Sequence, residues 1–222
     1  MKKIFLFLSI CIVASCKSVN FDDLHSRNEN LNKLPVLNVK VDKESLKSAF
    51  PVRKITSGTE TALGDDFSFF GSVSSYEKDS RSRDVVSIIN YDVKNNITNK
   101  TGKIGGTFKA RVSNIESDYN IAYYPLTVLQ YITLFIPTVL GAPVGEQVCS
   151  IELEVDIENN HNEIVASYTE VGEGRVKVAA YYGYTHAEGL RYCSLLAVHN
   201  AMDKIKLNIA QDYANLNKAL KK

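Results

Sequence analysis

C-S-I-E-L-E-V-D-I-E, residues 149–158, alternates without a slip. Cys149, Ile151, Leu153, Val155 and Ile157 fall on one side of an extended chain, and Glu152, Glu154, Asp156 and Glu158 fall on the other. Successive strand side chains point to opposite faces, so this pattern is a strand with one dry and one wet face. Asn159-Asn160-His161-Asn162 is turn chemistry, and residues 163–171 run back as a second strand. Gly172-Glu173-Gly174 reads as a bulge or tight turn. Beyond it Val176, Val178, Ala180 and Tyr182 face inward while Arg175 and Lys177 face outward. The expectation is a three-strand meander over about 147–182, its mixed charges forming a solvated surface.

Working upstream, Phe108, Ala110 and Val112 alternate with Lys109 and Arg111, a strand with a basic outer side. Leu37, Val39 and Val41 suggest the first strand, and residues 45–50 a short helix stopped by Pro51. Phe67, Phe69 and Phe70 look like a brief buried strand. Val86, Ile89, Val93 and Ile97 recur at helical spacing and predict a helix near 84–97. Downstream, Thr185-His186-Ala187-Glu188 matches a capping box. Tyr192, Leu195, Val198, Met202, Ile205, Ile209, Tyr213, Leu216 and Leu220 then follow every third or fourth residue, one helix of roughly 50 Å if unbroken. Leu190, Cys193, Ala197 and Ala201 add a second apolar side to its first half. The fold class is therefore α+β. It is a single domain over 35–222, a mostly antiparallel sheet packed by the helix near 84–97 and by the long C-terminal helix from about 185.

The amino terminus sets the address. Lys2 and Lys3 precede a short apolar run over 4–12, the layout of a secretion signal and too short to span a bilayer. Val13-Ala14-Ser15-Cys16 follows and resembles the lipobox of bacterial lipoproteins. The resemblance implies cleavage after residue 15 and acyl chains on Cys16, and with them a membrane-bound protein. Residues 16–34 then form the anchor and a polar, asparagine-rich tether. As a flexible coil the tether spans about 20–25 Å. Lys17, after the lipidated cysteine, implies by the same resemblance the outer membrane, with the domain facing the periplasm. The final third, with Gly172-Glu173-Gly174, the strand at 175–182 and the alanine-bearing helix, is similar to the α+β module of envelope-assembly lipoproteins and their kin. These include the curli-secretion type, peptidoglycan-synthase activators and the amino-terminal module of Tol-system propeller proteins. Residues 121–145 depart from that module as an insertion.

That insertion carries no charge and is divided by Pro125, Pro137 and Pro143. Three roles compete for it: filling one face of the sheet, docking a partner protein, or dipping into the membrane interface. Tyr123, Tyr124, Leu126, Leu129, Tyr131, Leu134 and Phe135 are its candidate membrane- or partner-contact residues. Once Cys11 is cut away and Cys16 lipidated, one disulfide is available, Cys149 with Cys193, in a compartment that permits it. Two small buried thiols are the preferred alternative.

Chemistry is sparse. His25, His161, His186 and His199 are scattered, no nucleophile elbow is present, and no metal-ligand spacing occurs, so neither catalysis nor a cofactor is expected. The signal holds two of the 26 basic residues and none of the 25 acidic ones. The mature chain is thus close to neutral, which argues against a nucleic-acid partner. The sequence supports a lipid-anchored envelope protein that works by binding, as an accessory or scaffold part of an envelope assembly or transport machine, with a membrane and an envelope protein as partners. The alternative is a carrier of lipid or another apolar ligand, lined by residues 121–145.

Overall fold

The structure, a computed structural model, describes residues 24, 32–50, 78–120, 136, 143–179 and 186–221. Its central strand is the one that the alternation demands. In β3 (Pro143–Asn159) the inward residues Cys149, Ile151, Leu153, Val155 and Ile157 are at most 1% exposed. On one side β3 pairs antiparallel with β2 (Ile104–Asn120), bringing Phe108 against Ile157 and Ala110 against Val155. On the other it pairs antiparallel with β4 (Ile164–Ala179). β1 (Val36–Val41) completes the sheet, parallel to β2, in the order β1-β2-β3-β4.

The α+β class and the mostly antiparallel sheet hold, but the meander at 147–182 has a different composition. Residues in that range supply two long strands, β3 and β4, and β2 is the third antiparallel member. Gly172-Glu173-Gly174 neither bulges nor turns, because β4 runs straight through it in register with Ile151, Ser150 and Cys149. The turn at Asn159 is as expected. Asn159 Oδ1 accepts from the backbone N–H groups of His161 and Glu163 at 2.9 and 3.0 Å, and Asn162 takes a left-handed φ of 59°.

α1 (Lys43–Ala49) follows β1 directly, its Asp42 cap accepting from Glu44 N at 2.9 Å. α2 (Lys78–Asp92) begins earlier than its apolar spacing predicted and then widens into one π-helical turn, Val93–Ile97, closed by Thr98 N on Val93 O at 2.9 Å. The wider turn sets Asp92, Val93, Asn96 and Ile97 on one buried side. The predicted strand at Phe67, Phe69 and Phe70 lies outside the described residues.

α3 (His186–Gln211) carries the long stripe, with Leu195, Val198, Met202 and Ile205 all at most 1% exposed. Cys193, Ala197 and Ala201 are fully buried as the second apolar side. The single 50 Å helix is corrected to two. α3 stops at residue 211, and after Asp212 the chain continues as α4 (Tyr213–Ala219). Tyr168 on β4 donates to Asp212 Oδ2 at 3.0 Å, and Leu216 and Leu220 stay buried, so the stripe continues across the break.

Sheet and helix meet closely because β4 carries glycine where α3 crosses it. A Cβ on Gly172 would lie 1.9 Å from Ala197 O, and one on Gly174 would lie 2.1 Å from Cys193 O. Those neighbours are helix backbone and cannot step aside. The opposite sheet face holds the charges, where Lys109 bonds Glu158 at 2.5 Å and Arg111 bonds Glu154 across β2 and β3.

Gly172→Ala and Gly174→Ala are each expected to destabilise by about 1–3 kcal/mol or more through overpacking, while Glu173→Ala between them stays within about 0.5 kcal/mol. Urea unfolding of the three variants checks this. Burial, then the Asp212 hydrogen bond and charge, hold the Tyr168 phenol well above its ordinary value. The fold thus favours the neutral phenol, and the resulting stability is complete below about pH 10 and declines as pH rises beyond it. Tyr168→Phe is expected to cost about 0.5–1 kcal/mol at neutral pH and to flatten that alkaline decline, read from thermal melts between pH 8 and 11.

Candidate functional site

Two polar features stand out against an otherwise apolar interior. The first is internal. The π turn points Asp92 and Asn96 toward α3, where Lys206 occupies a position beside Ile205 on the buried side. Lys206 Nζ lies 3.3 Å from Asp92 Oδ1 and 2.5 Å from Asp203 Oδ1, with Lys206 and Asp92 side chains only 3% and 1% exposed. Asn96 Nδ2 donates to Asp92 Oδ1 at 2.6 Å, and His199 Nε2 faces Asp203 Oδ2 at 3.4 Å. Asp92 Oδ2 and His199 Nδ1 are buried and make no hydrogen bond with the described residues. The ammonium therefore joins α3 to the π turn, a locking role that leaves two polar atoms in reserve. Among the described residues no group of three or more His, Cys, Asp or Glu side chains converges to hold a metal.

The second feature is a groove of about 340 Å³ beside the start of β1. The start of β1, the loop before β2, the β3–β4 turn and α4 build it. Lys33, Lys103 and Lys221 stand around it with Asn99, Asn160 and Asn217, and among the described residues no carboxylate lines it. Lys33 is positioned by a 2.9 Å bond from its Nζ to Asn95 O, in the π turn between Asp92 and Asn96. Pro35, Val36, Ile104, Tyr213 and Leu220 complete the wall, so the lining mixes lysine and amide groups with apolar surface.

The residues singled out from the sequence are distributed unevenly. Cys16 and the insertion residues Tyr123, Tyr124, Leu126, Leu129, Tyr131, Leu134 and Phe135 lie outside the described residues. His161 is exposed in the hairpin turn and His199 is buried on α3, with no ligand set joining them. Cys149 and Cys193 are free thiols, both fully buried, and the fold brings them together. Ser194 Oγ lies 3.8 Å from Cys149 Sγ, and Cys193 Sγ lies 3.2 Å from Gly174 O and 3.3 Å from Gln147 O. The cluster around Lys206 was not foreseen. Its signal was present, since Asp92 and Asn96 stand one helical turn apart beside Val93 and Ile97, and Lys206 interrupts an apolar stripe. No described helix is long and apolar enough to cross a membrane.

No family model matches the chain, and no curated protein is similar to it. Among solved structures it is similar to protein XCC0632 from the bacterium Xanthomonas campestris, of the family described as DUF330, at 13% identity and a TM-score of 0.38. The alignment covers 89% of this chain and 94% of that one.

Lys206→Met is expected to destabilise by about 3–5 kcal/mol, because it leaves the Asp92 carboxylate buried and uncompensated. Asp92→Leu combined with Lys206→Met is expected to recover most of that loss. A denaturation double-mutant cycle with Asp92→Leu alone measures the coupling.

Proposed function

We propose that the chain is a lipid-anchored, non-catalytic protein of a bacterial cell envelope, held on the outer membrane and facing the periplasm. There it acts as an accessory or scaffold component of an assembly or transport machine. The observation that carries this proposal is the acylation motif at Cys16 joined to a domain whose helix–sheet interface is shut. α3 is in backbone contact with β4 at Gly172 and Gly174, which closes that part of the interface and supports binding at the surface.

The basic groove gives that surface a direction. Lys33, at the domain end of the proposed tether, is among the groove's lining residues. A carrier of apolar ligands, the competing proposal, would have to hold its cargo elsewhere, against the insertion at 121–145.

Labelled palmitate is expected to enter the full chain and to be lost in Cys16→Ala, which then leaves the membrane fraction. A photocrosslinker at Tyr123, Tyr124 or Tyr131, used on the membrane-bound protein, is expected to capture one defined envelope protein. Capture of lipid alone favours the carrier, and an unlabelled chain with unchanged fractionation overturns the anchored reading altogether.

A further inference from the structure

Cys149 and Cys193 stand 44 positions apart in sequence and on different elements, yet they share one pocket of the core. The cause is Gly174. It is the β4 partner of Cys149 in the sheet register, and its missing Cβ lets the α3 backbone settle with Cys193 O directly over it. A helix this close sends the Cys193 side chain across β4 onto the inward side chain of the next strand. The thiol hydrogen of Cys193 then has three acceptors in reach: Gln147 O, Gly174 O and the Cys149 sulfur itself.

We propose that Cys149 and Cys193 are a disulfide site, oxidised as the protein folds, whose bond bolts α3 to the middle of the sheet. The chemistry is thiol–disulfide exchange. One protein thiolate attacks a disulfide-bearing oxidant, oxidised glutathione or a dithiol oxidoreductase, and displaces one of its sulfurs as a thiol. The second protein thiol attacks the resulting mixed disulfide and releases the other. Two protein thiols thereby give two electrons and two protons to the oxidant, which leaves as two thiols. The hydrogen bond from Cys193 holds Cys149 below its ordinary thiol value. The same bond, together with burial, pushes Cys193 far above its own. Neither sulfur is exposed in the closed fold, so the exchange belongs to the folding chain or to local opening of α3.

The bond closes a loop of 44 residues and restrains the unfolded chain far more than the folded one, in which the two sulfurs already meet. The site does not depend on the proposed envelope function, and the test uses a defined oxidant so that the two stand or fall separately. The full chain carrying Cys11→Ala and Cys16→Ala is unfolded and reduced, then refolded by dilution into a glutathione buffer poised at a series of ratios of reduced to oxidised form. Mass spectrometry after alkylation is expected to find a Cys149–Cys193 linked peptide and a protein whose two sulfurs take up no alkyl group, where the reduced chain takes one up on each. The oxidised protein is expected to melt roughly 5–15 °C above the reduced one. Cys193→Ala in the same background should lose that oxidant-dependent rise. Refolded protein that keeps both thiols at every ratio overturns the proposal. So does a linked protein that melts no higher than the reduced form, since its bond would then be a strained accident. The peptide assay decides even if Cys193→Ala does not fold.

Discussion

A helix can bring its backbone against a strand only where the strand presents no side chain to hold it off. Gly172 and Gly174 supply that absence twice on the same face of β4, with Ala197 and Ala201 opposite them on α3, so backbone meets backbone. The rest of the interior follows from this contact. Close packing multiplies weak dispersion contacts, and it fixes the height of α3 over the sheet. That height brings Met202, Ile205 and Val198 to full burial and delivers the Cys193 thiol to Cys149.

The buried ion cluster depends on the same placement. An ammonium and a carboxylate buried as deeply as Lys206 and Asp92 gain little net stability over an apolar pair of the same shape, because desolvation offsets their attraction. What they add is position. Lys206 reaches Asp92 only if α3 holds its height and the π turn directs Asp92 inward, so the pair discriminates the correct packing from near alternatives. The π turn extends this to Asn96, which binds the same carboxylate oxygen.

These arrangements mark the boundary of what the sequence could disclose. The alternation at 149–158 specified β3 and its two faces, because a period of two allows one assignment when one face is buried. The stripe from Leu195 to Ile209 specified α3 by the same logic at a period of 3.6. Gly172-Glu173-Gly174 was misjudged because glycine favours turns locally, whereas here its small size was selected by a helix only later in the chain. The stripe past Ile209 kept its spacing through Asp212, so periodicity did not reveal the break that Tyr168 pins from another strand. Charged residues such as Asp92 and Lys206 are read as solvated by default, and only their three-dimensional pairing brings them inside. The groove drew its lining from four separated segments, which no linear pattern connects.

The same close contact limits where a partner can engage. Among the described strands β4 lies at an edge of the sheet, and an open edge invites a further strand. Here α3 closes part of it with side chains one helical turn apart. Asn200 Nδ2 donates to Glu173 O at 2.6 Å, Lys204 Nζ to Val171 O at 2.6 Å, and Asn208 Nδ2 to Glu170 Oε1 at 2.7 Å. The carbonyls that would template an added strand over 171–173 are thus already engaged, which weighs against strand addition at that stretch. The outer face is self-satisfied in its turn, since Lys109 and Arg111 pair with Glu158 and Glu154 across strands. The groove differs from both. Its three lysines face a lining without carboxylates among the described residues, and its amides carry hydrogen-bonding capacity into the same concavity. A partner bearing anionic or carbonyl groups would meet those lysines there, beside an apolar wall of Pro35, Val36, Ile104 and Leu220.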